Sequence, residues 1–217
     1  VFYFYRKDLL QDEEVSQTSL NVLCGFIRQA LSTHRICLGY DDRNSVVVLL
    51  CTDGKEDIKE LMRGIADRLY QYCQVRCFVA VGDVVEDFKN ISQSYKSAAL
   101  ISTWHIYPQL GKVGDKSLTE KKSVYFSVDT QTLIKSIHRG DAAAVKSEFR
   151  DYTRQLMLHD DTPSPAYLFS MYHLLITEVR THTNNTLDSY TGDAYQAMRQ
   201  FDTFDEIYAW VEKVLVD

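Results

Sequence analysis

The chain has 217 residues, of which 45% are hydrophobic, and a formal net charge of −6 at pH 7. This composition is ordinary for a globular protein with a core, arranged as one large domain or two small ones. The negative charge and the absence of a basic stripe argue against a nucleic-acid-binding surface, because phosphate contacts require clustered Lys and Arg. No run of about 18 apolar residues and no signal-peptide pattern occurs, so we expect a soluble, cytoplasmic protein.

Hydrophobic periodicity over the first 102 residues predicts the order strand, helix, strand, strand, helix, strand, helix. The elements are a central strand at 1–6, a helix at about 16–32, hairpin strands at 36–40 and 45–51, a helix at about 55–72, a strand at 75–81 and a helix at about 91–102. This order is typical of a ferredoxin-like antiparallel sheet with helices on one face. The first strand begins abruptly without Met, which indicates a piece of a longer protein.

The predicted domain is organised around the stretch from residue 75 to residue 102. Alternating apolar residues predict a strand with one buried face, and Gly82 then lets the chain turn into an acidic loop. One face of the following helix carries a single large ring among small side chains, which lets a helix lie close to a sheet. The residues of that face are Ile91, Tyr95, Ala98 and Ser102. The second hairpin strand, 45–51, is expected to be strongly buried.

After Trp104 the pattern changes, and Pro, Gly and Lys residues from 108 to 122 predict an exposed loop. Residues 123–128 are expected to add an edge strand, which gives an α/β domain at 1–128 and a helical subdomain at 129–217. Helical spacing predicts four buried stripes: Leu133, Ile134 and Ile137; Val145, Phe149, Tyr152 and Leu156; Leu168, Tyr172, Leu175 and Val179; and Phe204, Ile207, Val211 and Leu215. Pro163 and Pro165 start the third of these helices, Thr203–Glu206 forms a capping box, and a weaker helix is expected near 188–199.

Two adjacent carboxylates, Asp41 and Asp42, lie at the predicted hairpin tip and have two interpretations. Paired carboxylates can hold Mg²⁺ for nucleotide chemistry together with substrate phosphates. Asp is equally common in turns, because its short side chain tolerates turn geometry. We favour the turn.

The remaining polar clusters favour structural roles. Glu178 and His182 lie four residues apart on one helix and make only an incomplete metal site. Most of the five cysteines (24, 37, 51, 73 and 77) lie in apolar runs, which suits reduced, buried thiols. Cys73 and Cys77 are expected to pack rather than to take part in metal or redox chemistry. The run 159–161 suits a polar turn, and an aromatic set suits core packing rather than a ligand pocket. That set is Tyr152, Tyr167, Phe169 and Tyr172. No catalytic, cofactor-binding or metal-ligating residue is assigned, and no cofactor is expected.

Three runs of residues resemble one protein family. Val79–Gly82, an acidic loop and the run ISQSYKSAAL at 91–100 resemble a signature in the central region of YesN-type regulators of the AraC family. The run LIKSIHRGD at 133–141 resembles a helix ending in Gly-Asp in that family, and 204–215 resembles its last helix before the DNA-binding domain. Such regulators join a receiver or membrane sensor module, a central region related to degenerate GGDEF domains, and a C-terminal pair of helix-turn-helix motifs.

The chain departs from the family pattern at two places. Val84 stands where the family often has a second glycine. Where an active diguanylate cyclase has a Gly-Gly-acidic-acidic-Phe hairpin, this chain has Gly39 and then Tyr40, followed by Asp41 and Asp42. The ring of Tyr40 would stand where backbone must approach a nucleotide. No catalytic residue is therefore carried over from the family.

The resemblance implies a non-catalytic signal-relay module that couples an upstream receiver or sensor domain to a downstream helix-turn-helix domain, by means of a conformational change or homodimerisation. The fragment itself is expected to contact neither nucleic acid nor membrane. One alternative is a small-molecule sensor with a ligand cleft between the two halves. A third reading, a nucleotide-handling enzyme with metal on Asp41 and Asp42, is the least favoured.

Overall fold

The structure, a computed structural model of the chain, describes residues 1–5, 8–9, 13–42, 44–54, 56–120, 129–157, 162–182 and 193–216. The side chains of residues 13–19, 41 and 42 lie outside this description. The chain divides into two compact units, Val1–Lys121 and Lys122–Asp217, each described here by itself. The predicted fold class, a mixed α/β domain followed by a helical part, is confirmed.

The first unit is built on a five-stranded sheet in the order β2-β3-β1-β4-β5. Its strands are β1 (Phe2–Phe4), β2 (Arg35–Asp42), β3 (Ser45–Cys51), β4 (Cys77–Ala80) and β5 (Val113–Gly114), and its helices are α1 (Glu13–Ala30), α2 (Ile58–Cys73) and α3 (Ile91–Ser102). β1 pairs antiparallel with both β3 and β4, which confirms the predicted central position of the first strand. β4 and β5 are parallel, so the sheet is mixed.

One face of the sheet packs against α1 and α2 and forms the main apolar core. Phe2 and Phe4 of β1 point to this face and are at most 1% exposed. The inward residues of the two helices that complete this core are Leu20, Leu23, Ile27, Met62, Ile65 and Leu69. Burial of such side chains contributes roughly 1.5–3 kcal/mol each, so this face contributes strongly to the stability of the unit.

The opposite face is covered by α3 and by the turn that follows it. The ring of His105 stacks on the ring of Tyr3 with centroids 3.6 Å apart, and its Nδ1 lies 2.8 Å from the carbonyl oxygen of Ser102. The hydroxyl of Tyr5 donates a hydrogen bond of 3.0 Å to the carbonyl of His105. This turn is therefore part of the core, although the periodicity of the sequence assigns it no element. α3 lies across the sheet from α1 and α2, whereas the sequence places all helices on one face.

The burial of two strands differs from the sequence-based expectation. β4 is buried on both faces rather than one, because it lies between β1 and β5 and has α2 and α3 on its two faces. β3 is buried only at Ser45 and Val46, and its last residue, Cys51, is exposed. The prediction of a strongly buried strand at 45–51 is wrong, because the pairing of β3 with β1 ends at Val46.

The predicted exposed loop at 108–122 contains the fifth strand. The N–H of Val79 donates to the carbonyl of Lys112, and the N–H of Val81 donates to the carbonyl of Gly114, both at 2.8 Å. Two residues are too few for a periodic signal, so the sequence pattern does not reveal β5. The edge strand expected at 123–128 lies outside the described residues.

The second unit consists of α4 (Gln131–His138), α5 (Ala142–Met157), α6 (Pro165–His182), α7 (Ala194–Met198) and α8 (Phe204–Val216). The predicted inward stripes are confirmed, except that Ile137 and Phe204 are only half-buried. The predicted capping box is also confirmed, since Oε2 of Glu206 accepts hydrogen bonds from the backbone N–H of Asp202 and of Thr203, at 2.9 and 3.2 Å. The weaker helix expected at 188–199 begins at Ala194 within the described part of the chain, where Asp193 caps it.

Candidate functional site

By its resemblance to the family, the hairpin of β2 and β3 corresponds to the nucleotide-binding hairpin of an active cyclase. Its ladder runs regularly from Arg35 opposite Cys51 to Tyr40 opposite Val46, and an irregularity then brings Asp42 opposite Ser45. β2 thus extends through Asp42, so the prediction that the turn begins at Asp41 is wrong. The carboxyl groups of Asp41 and Asp42 lie outside the described residues, and the magnesium interpretation stays a prediction.

Within this hairpin, the Tyr40 side chain is tied to the first helix. Its hydroxyl donates a hydrogen bond to Oδ1 of Asn21 on α1, and the side chain remains about half exposed. A hydrogen bond with the Cys24 thiol, together with partial burial, raises the pKa of Tyr40 above its ordinary value. The ring therefore spans the surface between hairpin and helix.

The neighbouring residue, Gly39, is surrounded by open space. A methyl group added there would have no atom within 4 Å apart from its own chain neighbours. Nothing in the described structure requires a glycine at this position.

Gly82, in contrast, lies in close contact with α3. A methyl group at Gly82 would lie 2.2 Å from the carbonyl oxygen of Ser94 and 3.1 Å from Cβ of Ala98. A separation of 2.2 Å from backbone is far below van der Waals contact, so only glycine fits here without a shift of the helix. The sequence predicts Gly82 as a turn residue, whereas the structure shows that its missing side chain lets α3 approach the end of β4.

Beside Gly82 there is a cavity of about 330 Å³, which we call the slot. Its walls are the last residues of β3, the start of α2, the segment 81–88 and the first turns of α3, while Val1 and Phe2 close its inner end. Apolar side chains make up most of this lining. Asp83, Glu86 and Asp87 add acidic groups, and Val84 and Phe88 are 78% and 79% exposed.

Several residues singled out in the sequence meet in the slot. Gly82, Ile91, Tyr95 and Ala98 all line it. Tyr95 is 37% exposed, so the prediction that its ring is directed into the core is wrong. The part contributed by β3 was not predicted, because it depends on where a strand distant in sequence ends.

The other candidate groups fit structural roles. Burial raises the pKa of the Cys77 thiol to about 12, which suits packing, but the expectation that most of the cysteines are buried is wrong, because Cys37 and Cys51 are exposed and Cys24 and Cys73 are only half-buried. The predicted aromatic set is buried in the helical core, where the hydroxyl of Tyr172 is 3.0 Å from that of Thr153. Among the described residues, no group of three or more His, Cys, Asp or Glu is placed to hold a metal ion. Glu178 and His182 are therefore not joined by a third such residue in the described part of the chain. The run 159–161 lies outside the described residues.

In the parts of the chain that the structure describes, no helix is both long enough and apolar enough to cross a membrane.

Comparison with known proteins gives one match. Searches against curated proteins and solved structures gave no significant match. Residues 10–101 match the family model of the GGDEF-like domain, and this range includes the hairpin, Gly82 and nearly all of α3. A GGDEF-like domain is therefore present at residues 10–101.

Proposed function

We propose that this chain is a non-catalytic regulatory module of a bacterial AraC-family transcription regulator. It passes a signal from an upstream receiver or sensor domain to a C-terminal helix-turn-helix domain. The GGDEF-like domain at 10–101 supports a regulatory module of this kind. The resemblance of 91–100, 133–141 and 204–215 to the central region of YesN-type regulators supports the choice of parent family. The alternative, a small-molecule sensor with a cleft between the halves, stays a prediction.

The side chain of Tyr40 carries the non-catalytic part of the proposal. A nucleotide-binding glycine turn works because bare backbone can approach the ligand. Here the residue after Gly39 is Tyr40, a strand residue whose ring hydroxyl donates to Asn21 on α1. A nucleotide approaching this backbone would have to displace the ring and break that hydrogen bond.

Incubation of the chain with GTP and Mg²⁺ tests this part of the proposal. We expect no pyrophosphate release and no dinucleotide product, and we expect calorimetry to detect no nucleotide binding. Turnover by the natural chain that disappears in an Asp42→Ala variant would contradict the proposal. A Tyr40→Gly variant is the matched control for space, and if the ring is the obstacle, any gain of GTP binding appears only there.

The relay itself requires two packings whose populations depend on a neighbouring domain. Size-exclusion chromatography and small-angle scattering on this chain, alone and within its parent protein, measure that dependence. We expect the radius of gyration or the dimer fraction of the module to change when the input domain switches state. A rigid monomer that neither neighbour alters would contradict the relay.

A further inference from the structure

The two edges of the sheet differ in length and in chemistry. β5, at one edge, has two residues, whereas β2, at the other edge, has eight. An exposed edge strand that is long, uncharged and free of proline pairs readily with another strand, and proteins usually shorten or charge their edges to prevent this. The middle of β2, Ile36–Tyr40, carries no charge and no proline. β2 is therefore the edge of this sheet that is suited to pairing with a further strand.

The register of the sheet assigns the backbone groups on the outer side of β2. Hydrogen-bonded pairs alternate along an antiparallel ladder, and the N–H of Phe4 donates to the carbonyl of Asn44. The even-numbered residues of β3 therefore direct their N–H and C=O groups to β1, and its odd-numbered residues direct theirs to β2. Since even-numbered residues of β2 lie opposite even-numbered residues of β3, the backbone groups of Ile36, Leu38 and Tyr40 point outward. Among the described strands, only β3 pairs with β2.

The side chains of the same three residues form an apolar row on the helix side of the sheet. Ile36 and Leu38 are half-buried against the core under α1 and α2, and Tyr40 is about half exposed. If β2 and its copy are related by a twofold axis at Leu38, Ile36 of each copy lies opposite Tyr40 of the other. Pairs of an aromatic and a β-branched side chain stabilise antiparallel strands. The row is therefore complementary to itself.

The charges at the two ends of β2 are also complementary. β2 begins at Arg35 and ends in two acidic residues, Asp41 and Asp42. Antiparallel pairing centred on Leu38 sets Arg35 of each copy beside the acidic end of the other. Opposite charges across antiparallel strands stabilise the pairing, whereas like charges oppose it. Parallel pairing would instead bring like charges together.

A second pair of charges near β2 follows the same symmetry. Oε2 of Glu56 lies 2.7 Å from Nε2 of His34, directly before β2. Arg28 of α1 lies near Tyr40, toward the other end of the strand. A twofold axis at the middle of β2 therefore brings acidic Glu56 of one copy toward basic Arg28 of the other, on the helix side of the sheet.

We propose that the outer edge of β2 binds β2 of a second copy of this chain. The two strands run antiparallel about a twofold axis at Leu38 and join the two five-stranded sheets into one continuous sheet, with α1 and α2 of both copies on the same side. This interface follows from the edge and the charges of β2 and does not depend on the proposed signalling function.

Sedimentation velocity over a range of protein concentrations tests the proposal. We expect a reversible dimer that Leu38→Pro abolishes, because proline cannot donate the central hydrogen bond between the copies. The N–H of Leu38 points away from β3, so this proline removes no bond within the sheet, and an edge strand tolerates it. Leu38→Val keeps the N–H and the strand propensity, and this matched control should dimerise like the natural chain. Slow alkylation of Cys77 verifies that each variant is folded.

A charge reversal tests the same interface without altering the backbone of the strand. Arg35→Glu faces the acidic end of the second copy, and the twofold axis makes the repulsion act twice, so we expect the dimer dissociation constant to rise about tenfold. Arg68→Glu makes the same change in net charge at an exposed position of α2 and should change the constant by less than about twofold. The pair also decides the question if Leu38→Pro does not fold.

Cross-linking of cysteines locates the twofold axis. Cys37 and Cys51 are both exposed. In the proposed dimer the two Cys37 Cα atoms are roughly 8 Å apart and the two Cys51 Cα atoms roughly 25 Å apart, given about 4.8 Å between strands and about 3.4 Å per residue. A short bismaleimide should therefore join the two copies in the natural chain and in Cys51→Ser, but not in Cys37→Ser.

Each other outcome contradicts the proposal. A monomer at every concentration would show that the edge does not pair with a second copy. A dimer that survives both Leu38→Pro and Arg35→Glu would lie on another surface. Amide exchange at Ile36 and Leu38 that is slow at every protein concentration would show that a segment of the same chain, such as 123–128, covers the edge.

Discussion

Two glycines mark the parts of the first unit that resemble a cyclase-like domain, and their surroundings are opposite. Gly39, in the hairpin, has open space where a side chain would stand, whereas Gly82, after β4, lies against the backbone of α3. The first glycine belongs to a region in which Tyr40 already occupies the surface. The second belongs to a junction where sheet and helix are in close contact. Of these two glycines, Gly82 is therefore the one that packing requires.

The largest expected contrast between these regions is in thiol reactivity. Cys37 and Cys51 lie exposed on the hairpin, whereas burial raises the pKa of Cys77 on β4 to about 12. At pH 8 a thiol with that pKa is deprotonated roughly a thousandfold less than an ordinary one, and iodoacetamide attacks the thiolate. We expect Cys77 to be alkylated at least about a thousandfold more slowly than Cys37. Mass spectrometry of labelled peptides measures this, with denatured protein as the control in which the rates converge.

Replacement of each glycine by alanine tests the difference between Gly39 and Gly82 directly. Gly82→Ala should reduce the free energy of unfolding of the first unit by about 3 kcal/mol, since the new methyl group meets the Ser94 carbonyl at 2.2 Å. Gly39→Ala should leave it unchanged or raise it by about 0.5 kcal/mol, because alanine suits a strand better than glycine does. Cys77 labelling in a urea series follows this unit alone. Equal effects of the two replacements would contradict the distinction.

The other end of β4 offers a smaller, pH-dependent test. Arg76 donates to Asp8 through its backbone N–H and through Nε and one terminal nitrogen, at 2.8 to 2.9 Å. The side-chain hydrogen bonds from Arg76 lower the pKa of Asp8 below its ordinary value. A lowered folded-state pKa stabilises the protein above the unfolded-state pKa, and this stabilisation is lost as the pH falls through the folded-state value.

We therefore expect Asp8→Asn to cost about 1 kcal/mol at pH 7, a modest amount because Arg76 is largely exposed, and to cost progressively less as the pH falls below about 4. Urea denaturation at several pH values measures this difference. A cost that stays constant from pH 7 to pH 3 would show that the charge of Asp8 is irrelevant.

The smallest effect is expected at Tyr40. Tyr40→Phe removes the hydrogen bond to Asn21 but keeps the half-exposed ring, so the free energy of unfolding should fall by no more than about 0.5 kcal/mol. A loss above about 2 kcal/mol would mean that the hairpin is packed as tightly as the β4–α3 junction. Asn21→Ala, which removes the same bond from the helix side, should match it.

The helical unit was the easier part to predict from sequence. Residues such as Phe149 and Leu175 face inward because the helical repeat alone sets one face, whichever helix packs there. Burial along a strand depends on its neighbours, so the local pattern predicts neither the half-buried end of β3 nor the fully buried β4. The slot joins the end of β3 to the segment after β4, and the contact of Gly82 follows from the approach of α3. Neither relation is present in a local pattern.

The stacked ring of His105 has a consequence for its own proton. A carbonyl oxygen can only accept, so the 2.8 Å contact with Ser102 requires that Nδ1 carry the hydrogen. While the turn after α3 keeps this contact with Ser102, the imidazole is confined to the Nδ1–H tautomer or the doubly protonated form. Nitrogen chemical shifts of this one side chain would then report, without any added probe, whether the turn after α3 keeps its geometry.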